Sequence, residues 1–299
     1  MAARTVPVVL VHGSRTSSTM WRRQLAALEA AGVRARAVDL PGHGERRQEP
    51  FALDAALATI REAVDGVGGR AVVAGLSLGG YLAVEHRARY PEESAGLVAA
   101  SCSTPTSSGV RPAWLRLARW IEGWPDQGER LNGAFVRAAL DAESARDMGA
   151  GGFALQVMSQ VLRELEPTDT LGALAAGRSP VWVVNGRYDH FRTRERALVA
   201  AARAGGAPVR LVVVPHARHL VSLDAPVAFT RVLLEAAAES ARPEAGSGGQ
   251  QVPGARPTDE GGGVRHDDDV VAQPVERGRG DAPGVAAAQV EPVPAEDRP

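Results

Sequence analysis

Short runs of β-branched and apolar residues alternate with longer stretches of helical periodicity along most of this chain, and that alternation restricts its possible folds more than any other feature. The apolar runs lie at residues 6–11, 34–39, 71–74, 97–101, 181–185 and 209–215, and the helical patterns between them include 20–31, 53–64, 79–90 and 194–204. Parallel strands need a crossover of about a dozen residues or more, and these helical stretches supply it. The pattern predicts an α/β fold: a mostly parallel sheet with helices on both faces.

One interval breaks the rhythm. Between Ser101 and Val181 the sequence is turn-rich and then amphipathic, with Trp114, Trp120, Trp124, Phe135 and Phe153 and no strand pattern. A mostly helical insertion placed there would sit over the carboxyl ends of the strands, where open α/β sheets bind ligands. Its tryptophans would then line a pocket for an apolar or aromatic substrate, the alternative being that they pack a small core within the insertion itself. From residue 242 to 299 the chain turns to Gly, Pro, Ala, Asp and Arg without apolar periodicity. Such a segment buries too little surface to offset its ordering entropy, so 242–299 reads as a disordered tail behind a folded body of 1–241. The run His266–Asp269 within it reads as a solvated charge run rather than a metal site.

Charge and composition exclude several functions. All 34 basic residues are Arg, which reads as coding bias rather than a binding device. The tail holds 6 Arg against 11 Asp and Glu, leaving about +4 on the body, and no Arg cluster with interleaved aromatics marks a nucleic-acid face. The single cysteine, Cys102, cannot form an internal disulfide, which favours a reducing, cytoplasmic setting and a small buried hydrophobe. The first residues run straight into an apolar strand, and no apolar run reaches the roughly 18–20 residues of a membrane span, so neither a leader nor a membrane partner is expected.

The sharpest chemical signal is Gly75-Leu76-Ser77-Leu78-Gly79-Gly80, placed between an apolar run and a helical pattern. A nucleophile on a tight strand-to-helix turn needs strained backbone angles, and glycine two residues before and after removes the Cβ atoms that would collide. Ser77 would then lie at a helix N-terminus, which favours developing negative charge. Its hydroxyl needs a base and the base needs an orienting acid. Asp189 closes the segment after the run 181–185, and His219 follows the run 209–215. Each of the three falls after a different strand, in the order Ser, Asp, His. His216 is the rival base, three residues earlier, and Leu-Val-Ser-Leu-Asp-Ala-Pro after His219 favours His219 as a helix-start pattern that holds the loop. Asp169 and Asp224 are the rival acids, the first lying ahead of its strand and the second reading as a cap for the last helix. For the oxyanion, the backbone of Leu78 supplies one donor and the turn His12-Gly13-Ser14 a second, with Ser14 the donor, unless that turn merely ends its strand.

These segments together resemble the α/β-hydrolase superfamily, in its compact, serine-nucleophile, esterase- or lactonase-like form, over about residues 6–238. VVLVHG is similar to the family's first oxyanion segment, DLPGHG at 39–44 to its turn after the following strand, and GLSLGG to its nucleophile elbow. NGRYD and HARHLVSLDAPVAF resemble the acid and histidine segments. The resemblance implies a lid-like cap at about 105–165 that shapes the acyl pocket, and an architectural rather than catalytic His43. The chain departs from the family in starting almost on the strand that ends in His12, and in carrying Leu76 where many esterases have His. Serine at 77 argues against the branches whose nucleophile is Asp. The expectation is a serine hydrolase acting on a small-molecule ester, lactone or thioester through Ser77, His219 and Asp189, with neither metal nor organic cofactor. Carbon–carbon bond hydrolysis or a cofactor-free lyase on the same triad, and ligand binding without catalysis, stand as the alternatives.

Overall fold

The computed structural model describes residues 4–106 and 111–242. The tail expected at 242–299, apart from Arg242, and the 266–269 charge run lie outside the described residues. Six strands form one sheet: β1 (Val8–Val11), β2 (Ala35–Val38), β3 (Ala71–Leu76), β4 (Ser94–Ala100), β5 (Val181–Gly186) and β6 (Val209–Val214). Every pairing is parallel, in the order β2-β1-β3-β4-β5-β6. Each of the six apolar runs is a strand.

Side-chain alternation along the strands sorts the core into two layers. Val9, Val11, Val73, Leu97, Ala99 and Val183 face one side, packed under α2 (Leu53–Gly66), α3 (Leu78–Arg89) and α9 (Glu195–Ala204). Val8, Leu10, Val72, Ala74, Val98 and Val184 face the other, under α1 (Arg22–Ala30) and α11 (Pro226–Glu239). The helical pattern at 20–31 divides: Ser18–Trp21 forms a 3-10 turn, capped by the Ser17 hydroxyl accepting from the Thr19 N–H, before α1 begins. Burying both faces of a parallel sheet is what turns near-continuous apolar runs into a stable core.

Because β2 and β3 flank β1 on opposite sides, the strand order reverses at β1 and β3, and their carboxyl ends border a crevice. Over it lie α4 (Arg111–Glu122), α5 (Glu129–Ala139), α6 (Ala142–Gly149) and α7 (Met158–Glu164), within the expected insertion. Arg22, at the start of α1, holds the insertion down through Asp147 and Glu143, at 2.6 and 2.5 Å. After α8 (Thr170–Ala176) the chain re-enters the sheet at β5, and α10 (Val221–Asp224) precedes α11. Among the described residues no helix is long and apolar enough to cross a membrane.

Candidate active site

Ser77 is the single residue between β3 and α3, with φ 53° and ψ −114°. A non-glycine residue is held in such a conformation only when its surroundings over-determine it. Here the Ser77 N–H donates to Ala100 O at 2.8 Å, and the Ser77 carbonyl accepts from the N–H groups of Gly80 and Tyr81. A Cβ on Gly75 would lie 2.0 Å from Gly79 O, and one on Gly79 would lie 2.2 Å from Val11 O. Both obstacles are backbone, so the two glycines are what allow the turn to close against β1.

Asp189 and His219 arrive from the ends of β5 and β6. Ser77 Oγ lies 3.1 Å from His219 Nε2, and His219 Nδ1 lies 3.0 Å from Asp189 Oδ1. An ionised carboxylate only accepts, so the ring carries its proton on Nδ1 and leaves Nε2 free to take the serine proton. His216, the rival base, is exposed on a turn with φ 60°, and Asp169 stands before α8. Asp224 does not cap α11, whose preceding residue Ala225 has no side-chain capping bond. Its carboxylate instead accepts from the Arg218 N–H at 2.7 Å, tying down the loop that carries His219. The cap reading failed because Asp224 ends the short α10 and faces back along the chain.

Gly186, the last residue of β5, makes the convergence possible. A Cβ there would fall 2.2 Å from Arg218 O and 2.5 Å from Ala217 O, so a side chain would push the histidine loop off the strand end that carries Asp189. Gly186→Ala is expected to cost about 10²-fold in kcat/KM, the penalty for displacing a reacting group by about 1 Å. Steady-state kinetics on a soluble ester will check this, and a variant within twofold of wild type would show that the loop tolerates the displacement.

Burial alone would raise the Asp189 carboxyl, but the hydrogen bond and charge of His219 and the Phe191 N–H, 2.8 Å from Oδ1, outweigh it and hold the group below the usual carboxylate range. Asp189 Oδ2 and the Ser101 hydroxyl are both buried without a partner in good hydrogen-bond geometry, and Ser101 adds to holding the carboxyl down. Asp189→Asn would keep its carbonyl oxygen toward the two donors, His219 and Phe191, and so keep the ring's tautomer while losing the charge opposite the imidazolium. The expected loss in kcat is about 10²- to 10³-fold, of the order of a charge-assisted hydrogen bond or somewhat more. Pre-steady-state acylation rates will measure it, and an unchanged rate would remove Asp189 from the chemistry.

His12, His43 and His190 divide between support and lining. His12 and His43 are buried; the Leu40 N–H donates to His12 Nε2, and burial, then the neighbouring His43, push the His12 pKa down to about 3. Both therefore act as neutral architectural groups. His190, next to Asp189 in the chain, lines the cavity beside His219, and burial followed by the charge of His219 lowers its pKa. Asp189, His190 and His219 offer ligand atoms within 4.8 Å of one another, a grouping able to hold a metal. An ion bound to His219 would compete with its hydrogen bonds to Ser77 and Asp189. Cys102 is fully buried, and burial and Asp189 push its thiol up to about 12.

Ser77 and His219 open into a cavity of about 470 Å³ beneath the insertion. Ser14 and Leu78 line it together with Ser77, and no turn or loop hydrogen bond among the described residues uses either N–H. Trp114 also lines it, 41% exposed and stacked on Phe191 at 6.1 Å between ring centroids. Trp120 and Trp124 do not, contrary to the expectation from composition. They pack edge to face on each other at 4.9 Å, and Trp120 is 63% exposed. Six residues turn a helix through about 240° from Trp114, which carries Trp120 off the cavity face. Leu131, Phe135, Met148, Met158, Val161 and Leu165 supply the apolar wall instead. Sequence reasoning also missed Arg15 and Asn132, which line the same cavity without any local motif; only the positive φ of Arg15, 66°, sets it apart, and that is a property of the folded turn.

A family model described as "Alpha/beta hydrolase family" matches residues 8–232. Solved structures of similar fold include NosK from Streptomyces actuosus, 29% identical, with a TM-score of 0.57 over 78% of this chain and 97% of that one. A hydrolase from Pseudomonas aeruginosa is 25% identical, with a TM-score of 0.62 over 77% and 89% of the two chains. A thermophilic esterase from Thermogutta terrifontis is 24% identical, with a TM-score of 0.65 over 81% and 92%, a likeness of fold.

Proposed function

Because this chain belongs to the alpha/beta hydrolase family, we propose that it is a serine hydrolase that cleaves a carboxylic ester, lactone or thioester of a small molecule through an acyl-enzyme on Ser77. The observation that carries this reading is the unbroken path of hydrogen bonds from Ser77 Oγ through His219 to Asp189, at the floor of a largely apolar cavity.

In this scheme His219 Nε2 takes the proton as Ser77 Oγ attacks the substrate carbonyl. The oxyanion meets the N–H groups of Leu78 and Ser14, each such donor contributing about 3–4 kcal/mol in comparable sites. His219 then passes its proton to the leaving group, and a water activated by the same nitrogen releases the acid. Asp189 orients the ring and stabilises its cationic state. Apolar cavity walls strengthen each of these electrostatic terms by keeping water away.

Release of p-nitrophenol from a chain-length series of p-nitrophenyl esters by the purified protein, with Ser77→Ala in parallel, tests the reading. Turnover that disappears in the variant supports acyl transfer and sizes the acyl pocket. A protein inert to the whole series would move weight to carbon–carbon hydrolysis, lyase chemistry or ligand binding.

A further inference from the structure

Among the described residues, the cavity wall contains one permanent cation and no carboxylate. Arg15 lines it, and neither Asp nor Glu does. Burial disfavours the charged guanidinium of Arg15 and no compensating charge opposes that effect. Among the described residues no ion pair or side-chain hydrogen bond engages it. The contrast with the fully buried Arg87 is direct: that guanidinium donates to the carbonyls of Leu174 and Ser179 and to the Ser179 hydroxyl. An arginine partly desolvated with no protein partner is costly, and the Arg15 backbone is fixed at φ 66°, its carbonyl accepting from the Ala154 N–H. The next residue, Thr16, fixes the turn to the insertion through Met148 O at 2.9 Å. A second group in the same cavity is also unsatisfied. Asn132, on α5, is 6% exposed and its Nδ2 is buried without a partner.

Resting on the hydrolase reading above, we infer that the substrate carries a carboxylate, which Arg15 binds inside the cavity with the Asn132 amide as an added donor. A carboxylate would give the unpaired guanidinium a partner, and the fixed fork matches it two oxygens at a time, with the Asn132 amide lining the same cavity. The aliphatic and aromatic wall of the cavity that Arg15 and Ser77 share suits a chain or ring joining the carboxylate to the scissile bond. An ester or thioester of a dicarboxylic acid, or an ester of a carboxylated alcohol, has that form.

Two substrate pairs of matched size test this: p-nitrophenyl pentanoate against the p-nitrophenyl monoester of glutaric acid, and phenyl butanoate against its 4-carboxyphenyl counterpart. The wild-type protein is expected to favour the charged member of at least one pair by about 10- to 100-fold in kcat/KM, mainly through KM. In Arg15→Met, which keeps the length and loses the charge, that ratio should fall to about one, and Arg15→Lys should restore part of it. A purely structural role for Arg15 would lower both members of a pair together and leave the ratio standing, which would overturn the proposal, as would equal rates in both pairs for the wild type. Titration calorimetry with glutarate separates this from the hydrolase reading. Binding that is lost in Arg15→Met supports the anion site even if no ester turns over, and no binding together with no turnover overturns it.

Discussion

Replacing Ser77 with alanine is expected to lower kcat by about 10⁴- to 10⁶-fold, with the fold and melting temperature nearly unchanged. The variant keeps the Cβ that already occupies the turn at φ 53°, so the strained elbow and its bonds to Ala100, Gly80 and Tyr81 persist. What is lost is the oxygen 3.1 Å from His219 Nε2, and with it the covalent route. Residual catalysis from the proposed Leu78 and Ser14 donors would remain, because in this scheme they would bind the oxyanion whichever nucleophile created it. Steady-state kinetics alongside a thermal melt separate this outcome from simple unfolding, and a variant that retained the wild-type rate would end the scheme at its root.

A pair of histidine substitutions gives the second large effect. His219→Ala should cost about as much as Ser77→Ala, since a nucleophile and its base act as one unit and removing either removes the function of both. His216→Asn should stay within about twofold of wild type. Asn tolerates the left-handed conformation at φ 60°, and His216 is exposed on the turn rather than joined to Ser77 or Asp189. The two residues sit three apart in one loop, so the pair controls for any general disturbance of that loop. A large loss in the second variant and a small one in the first would reassign the base.

The sheet was legible because each strand is a run of β-branched or small apolar residues separated by a helix-length interval. The ends were less so: β4 begins at Ser94, three residues before the first branched or large apolar residue, because Ser94-Ala95-Gly96 has no strand signature of its own. Ser77, Asp189 and His219 lie one, three and five residues past the ends of β3, β5 and β6, so local sequence places all three at the carboxyl end of the sheet. The cavity wall could not. It depends on how α4 to α7 lie over the strand ends, and a tryptophan on α4 points inward or outward according to helix phase, as Trp114 and Trp120 show. Arg15, Asn132 and Gly186 share that limit. Their importance lies in partners distant in the sequence, or in the lack of one.

The central claim is an acyl group carried on Ser77. Acid-quenching the protein during turnover of a p-nitrophenyl ester, cutting at arginine and weighing the peptides examines it directly, because residues 71–87 lie between Arg70 and Arg87 and contain Ser77 as their one serine. The account predicts the mass of one acyl group on that peptide at Ser77, present in the wild type and absent from Ser77→Ala. Sustained turnover with that peptide always unmodified, or with the acyl group on another residue, would contradict it.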